Sequence, residues 1–66
     1  MNINGPEMKS RRLALGITQE EMAVRVGTSV HSIRRWERGD SEPQSPYRLR
    51  AWVQALERAE RARGAV

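Results

Sequence analysis

No cysteine occurs in the chain, so neither a disulfide nor a thiolate zinc site can supplement its core. A fold of this size must then rely on helix packing or on a second chain. The same absence fits a reducing cytosol. No segment approaches the ~20 apolar residues that cross a bilayer. Residues 1–8 show neither the basic start nor the apolar run of a secretory leader, so a cytoplasmic protein without membrane contact is expected. The single histidine, His31, has no second His, Cys or carboxylate at ligand spacing, which argues against a metal site. No Asp or Glu stands where it would orient His31 beside Ser29 and Ser32, so a hydrolytic reading lacks support. Repeats, low-complexity tracts and a second domain are missing. The 66 residues are expected to form one domain, 1–66, too small to hold an enzyme's cleft and supporting shell as well as a core. Neither catalysis nor a cofactor is expected.

Arginine is what the chain has in quantity. Eleven arginines and one lysine against eight acids give a net charge of +4, and the sequence pI is near 11.1. Residues 9–38 hold seven bases and three acids, residues 44–66 hold five bases and two acids, and Asp40 and Glu42 interrupt the run between them. An arginine fork chelates phosphate and the guanine edge in a way lysine cannot. A solvated helical surface would carry the same charges, so composition alone does not choose a partner.

Hydrophobic spacing and punctuation predict four helices, at about 6–15, 19–26, 30–38 and 46–63. In the first, Asn4 and Glu7 suit a capping box, Pro6 suits the first turn and Gly16 supplies a stop, with Met8, Arg12 and Leu15 on the inward stripe. The second has fuller start chemistry. Thr18 and Glu21 form a capping box, Ile17 staples to Met22, the stripe is Met22, Ala23 and Val26, and Gly27 permits a left-handed turn. Ser29 caps the third helix, whose inward stripe is Ile33, Trp36 and Glu37 and which Gly39 closes. A loop containing Pro43 leads to Ser45-Pro46, a cap followed by a first-turn proline. Leu49, Trp52, Val53 and Leu56 then mark the core stripe of the fourth helix, Glu57 and Arg61 are spaced as an ion pair, and 64–66 reads as frayed. Trp36 and Trp52 lie on apolar stripes, which favours core packing over stacking on bases.

Residues 18–39 thus place two short helices around a tight turn, the arrangement that lets one helix cross a phosphate backbone while the next enters a major groove. The outward face of the second carries Val30, His31, Arg34 and Arg35. Val30 offers methyl contact to thymine, His31 a donor to guanine N7 or O6, and Arg35 a bidentate guanine pair.

Arg12, the run 16–23 (Gly-Ile-Thr-Gln-Glu-Glu-Met-Ala), the run 26–29 (Val-Gly-Thr-Ser) and the run 33–39 (Ile-Arg-Arg-Trp-Glu-Arg-Gly) together resemble the lambda-repressor-like helix-turn-helix family, of the Cro and phage-repressor (XRE) type, over residues 8–56. The resemblance implies a compact all-α domain of four helices, or five, with an extended C-terminal helix here. It implies base reading by Val30, His31 and Arg35, with Arg34 reaching a base or a phosphate. Gln19, Ser29 and Arg38 are implied as backbone contacts, and Arg12 with Glu37 as a partly buried ion pair. Thr28 departs from the small aliphatic residue usual in the family, which should loosen the turn slightly. The fifth helix that many relatives use to dimerise is not evident. A stripe of Ala55, Ala59 and Ala62 would let two fourth helices approach, although an exposed alanine helix would look the same.

The leading expectation is a nucleoid-associated regulator, a small autorepressor that binds double-stranded DNA as a homodimer on an inverted repeat, its two recognition helices about 34 Å apart. Phage switches, toxin–antitoxin pairs and defence operons are equally compatible settings. An alternative of another class is an antitoxin or adaptor acting on a protein partner, a toxin or polymerase, through the fourth helix. A third reading, RNA binding, lacks the exposed aromatic platform that single strands require.

Overall fold

Each of the four helices among the described residues starts on a polar side chain that binds the amide three residues ahead. The computed structural model describes residues 4–64, and within them the helices are α1 (Gly5–Ala14), α2 (Gln19–Val26), α3 (Val30–Arg38) and α4 (Pro46–Gly64), with no strand. Asn4 Oδ1 accepts from the Glu7 amide at 3.0 Å, Thr18 Oγ1 from that of Glu21 at 3.0 Å, Ser29 Oγ from that of Ser32 at 3.1 Å and Ser45 Oγ from that of Arg48 at 3.1 Å. Each bond occupies one of the amides a helix start leaves without an internal acceptor. At α2 the Thr18 amide also donates back to Glu21 Oε1, completing a capping box. At α1 only the Asn4 half of the expected box is formed.

The helix ends differ slightly from expectation. Helix α1 stops at Ala14, one residue early, and Leu15 caps it while packing half-buried against the core, on the side expected of the inward stripe. Gly27 (φ 85°) and Gly39 (φ 83°) adopt the left-handed conformation that closes α2 and α3, which an L side chain rarely tolerates. At the α2–α3 turn the Thr28 amide joins that of Gly27 in donating to the Ala23 carbonyl, at 3.0 and 2.9 Å. Residues 65 and 66 of the predicted frayed end, and residues 1–3, lie outside the described residues.

The core forms where α3 meets the other helices. Ile33, Met22 and Leu56 are fully buried, with Met8, Ile17, Ala23, Trp36 and Trp52 around them. The indole rings of Trp36 and Trp52 meet at 5.4 Å between centroids, tilted by 46°, and join α3 to α4 as an aromatic pair. Val26, Leu49 and Val53 flank this core half-buried. Ala55 and Ala59, expected either on a surface along which two copies approach or on an exposed alanine helix, are instead buried in this core, and of that stripe Ala62 is exposed. Small side chains there let α4 approach the rest of the domain.

Two polar links fasten α1 to α4. Arg11 donates to both carboxylate oxygens of Glu60, at 2.9 and 2.6 Å, and Arg63 donates to the Ala14 carbonyl at the end of α1. The predicted Glu57–Arg61 pair is absent among the described residues; Glu60, one turn on from Leu56, makes the helix–helix pair instead. The hydrogen bond from Arg11 holds the Glu60 carboxyl below its usual range against the opposing effect of partial desolvation, and the attraction between the charges adds to the lowering. At the other end of α1, Gly5 lies against α3 so closely that a Cβ would fall 2.1 Å from the Trp36 carbonyl oxygen.

Two outcomes follow from this packing. Gly5→Ala should lower the melting temperature, as overpacking against a backbone group costs about 1–3 kcal/mol, whereas Gly64→Ala, with nothing within 4 Å of its Cβ position, should not. Because the Glu60 carboxyl is lowered in the fold, its pair stabilises the protein above the unfolded carboxylate value and this contribution is lost as pH falls through the folded one. Melting curves across acidic pH should therefore show Glu60→Gln less stable than wild type at neutral pH and equal to it in acid.

Candidate nucleic-acid interface

Helix α3 is nine residues long and presents two chemically opposite faces. Steps of about 100° per residue set Ile33, Trp36 and Glu37 on one side, all buried, and His31, Arg34, Arg35 and Arg38 on the other, all exposed. Val30, expected on the outward face, is half-buried against the core, while Arg38 takes a place beside the three residues expected there. The outward face is therefore one imidazole and three guanidinium groups.

The buried carboxylate of Glu37 fixes this helix relative to the rest of the domain. Arg12 from α1 approaches it through two parallel bonds, Nε to Oε2 at 2.7 Å and Nη2 to Oε1 at 3.0 Å, with side-chain exposures of only 5% and 1%. The third arginine contact, Nη1 to the Ile17 carbonyl at 2.7 Å, ties in the segment just before α2. Such a pair is tolerated in a dry site because its donors and acceptors are matched; no buried side-chain polar atom lacks a partner among the described residues.

The network continues to the surface through Gln19, the first residue of α2. Its amide nitrogen donates to Glu37 Oε1 at 3.1 Å, and its amide oxygen accepts from Arg34 Nε at 3.2 Å. A carboxylate only accepts and a guanidinium only donates, so both neighbours demand the same orientation of the Gln19 amide. Arg34 also lies 3.7 Å from Glu20, which leans its head toward the start of α2 rather than straight outward. A chain of contacts thus runs from Arg12 in the core through Glu37 and Gln19 to Arg34 on the face.

The remaining cations are less tethered. Arg38 pairs with Asp40 at 3.2 Å, a surface contact that water and salt weaken. His31 and Arg35 look into an open cleft between α3, the following loop and the start of α4, where Thr28, Gln44, Glu42 and Arg48 also contribute. Among the described residues Arg35 and Arg48 have no carboxylate within ion-pair distance. Sequence reading missed Arg48 and Gln44 because they approach α3 only after the 40–45 loop folds back. The cap at Ser45 was the available signal, since it fixes where the first turn of α4 points. Ser29 is held at its own helix start, bonded to the amide and hydroxyl of Ser32.

Two capped helices around a left-handed turn, the second with an arginine face turned to solvent and its inner face locked to the core, define a helix-turn-helix DNA-binding domain. The helix-turn-helix family profile matches residues 8–59, and the chain belongs to this family, in its Cro/C1-type (XRE) branch. A search of curated proteins finds no match to it. Membership makes the protein a DNA-binding regulator of transcription in the general sense, from a family of regulators rather than enzymes. Among the described residues no helix is long and apolar enough to cross a membrane, and no three metal-ligating side chains gather.

The burial of the ion pair sets a clear expectation. Removing one partner leaves the other charged and unsolvated, which typically costs about 3–5 kcal/mol, whereas Glu20 is exposed and only loosely paired. Thermal or denaturant unfolding should show Glu37→Ala strongly destabilised and Glu20→Ala nearly unchanged; small and equal losses would refute the structural role of the pair.

Proposed function

We propose that this protein is a repressor that binds an inverted-repeat operator as a homodimer in the nucleoid, inserting α3 of each copy into successive major grooves. The observation that carries the reading is the outward face of α3, where His31, Arg34, Arg35 and Arg38 are exposed while Glu37, in the same turn, is bound into the core. A helix so fixed presents its cations at a constant distance from the groove floor, and preorganisation of this kind lowers the cost of binding.

The division of labour follows from how tightly each side chain is held. Arg35, with no ion-pair partner among the described residues, reads a guanine through its fork, and His31 beside it donates to a neighbouring base edge. Val30, half-buried, offers one methyl surface to thymine. Arg34, drawn toward Gln19 and Glu20, serves the phosphate backbone next to the start of α2, together with Gln19 and the free amides of that helix end. Ser29 and Arg38 add further backbone contacts, and Gln44 and Arg48 extend them beyond the recognition helix. Glu42, in the same cleft, disfavours phosphate close to it and so restricts the register of docking.

Selection from a randomised duplex pool, followed by gel-shift at two salt concentrations, tests these roles. Arg35→Ala should relax the preference at one base pair in each half-site, a discrimination of about 1–3 kcal/mol. Arg34→Ala and Arg38→Ala should weaken all sequences alike and reduce the salt slope by about one unit each. Sequence-independent losses from Arg35→Ala would overturn its assignment as a base reader, and failure to enrich any sequence would overturn the operator reading.

A further inference from the structure

Tyr47 is the aromatic residue that the core does not use. It stands 82% exposed in the first turn of α4, whereas Trp36 and Trp52, the other aromatic residues, are buried. Steps of about 100° carry a line from Tyr47 through Arg50, Gln54, Arg58 and Arg61 along the side of α4 opposite Trp52 and Leu56. All five are exposed, and the line runs about 21 Å along the helix axis. Among the described residues Arg50, Arg58 and Arg61 have no carboxylate within 4 Å, so nothing in the domain compensates them at contact distance.

Beside this stripe lies a mostly apolar groove, begun by Pro46, floored by the half-buried Leu49 and Val53, and bordered by Arg50, Gln54 and Glu57. Arg48, which lines the cleft next to α3, is about 160° around the helix from Arg50. Groove and stripe therefore face away from the recognition helix, and occupying them leaves its outward face open.

We infer that this side of α4 docks an acid-rich amphipathic helix of a different protein, which seats an apolar side chain in the groove and sets Asp or Glu residues against the arginines. Tyr47 flanks the contact, an aromatic body with a polar tip that suits the rim of a protein interface. Acids three or four residues apart on the incoming helix share one face, as the arginines do here. Nucleic acid fits less well on two counts: it has no side chain for the groove, and Glu57, two turns from Arg50 on nearly the same line, repels a continuous polyanion. A protein helix avoids that repulsion by placing a neutral or basic residue there. A second copy of this chain would bring its own excess of arginine against the stripe, which is repulsive. The contact is confined to one helix face, at the small end of specific interfaces, so the association is a transient one. It adds a protein partner to the DNA reading and does not depend on it.

Peptide selection on the intact chain tests the chemistry. A display library of helical peptides, with apolar, acidic, basic and neutral residues all allowed at each varied position, is selected on the wild-type protein without DNA. Acidic residues beside an apolar stripe should be enriched. Against an enriched peptide, Arg50→Glu, Arg58→Glu and Tyr47→Ala should each weaken binding about tenfold. Because these positions are exposed, melting temperature and the affinity of α3 for its selected duplex should stay as in the wild type. Enrichment of neutral or basic peptides, no enrichment, or equal affinity of the acidic peptide for the wild type and for R50E with R58E would overturn the inference. So would loss of non-specific duplex binding in that double variant with its peptide affinity unchanged, which would make the stripe a nucleic-acid surface. Selection of acidic peptides by a protein that enriches no duplex would uphold this surface and overturn the operator reading instead.

Discussion

The buried contact between Arg12 and Glu37 is the constraint around which this small domain is arranged. It joins the first helix to the recognition helix, and through the Ile17 carbonyl it also sets the entry of the second helix. A purely apolar contact at this point would hold the helices together without specifying their rotation. A forked pair with a third bond accepts one geometry. The ring of apolar side chains around it supplies most of the favourable burial, while the ion pair restricts how α3 turns about its own axis. In the DNA-binding mode proposed above, that rotation determines which side chains meet the bases.

The same carboxylate reaches the surface by way of Gln19. The amide is held from both sides, so the first turn of α2 and the side chain of Arg34 share one hydrogen-bonded unit. Two of the helix-turn-helix cations therefore differ in kind despite being neighbours in sequence. Arg34 belongs to a network that begins in the core, whereas Arg35 faces an open cleft with Arg48. The difference follows from position on the helix: one step of about 100° separates the side that looks toward α2 from the side that looks toward the 40–45 loop.

Much of this fold was legible in the sequence, since its signals are local. Thr18 with Glu21, Ser29 before Val30, and glycines at 27 and 39 specify helix starts and stops through bonds spanning a few residues. The all-α, four-helix arrangement follows from those signals and the apolar spacing. Features that depend on tertiary contact were harder to see. Gly5 reads as an indifferent residue before a proline, yet it touches the end of α3. Val30, at the first position of its helix, lies on the border between the two faces, and only the packed core shows which way it turns. Ala55 and Ala59 fit an exposed stripe or a close internal approach equally well, and the path of α4 across α1 and α2 decides between them. Arg48 gains its meaning only from the loop that returns it to α3.

The open side of α3 carries a further implication. The side chains of His31 and Arg35 make no hydrogen bond or ion pair among the described residues, so the fold places few demands on their identity. A descendant of this chain is free to exchange them with little penalty in folding and, on the base-reading roles proposed above, with them the sequence it prefers. Arg34 lacks that freedom, because its loss unties Gln19 from one side. Divergence among paralogues should therefore be fastest at 31 and 35 and slow at 12, 19, 34 and 37, so that new targets arise on an unchanged frame.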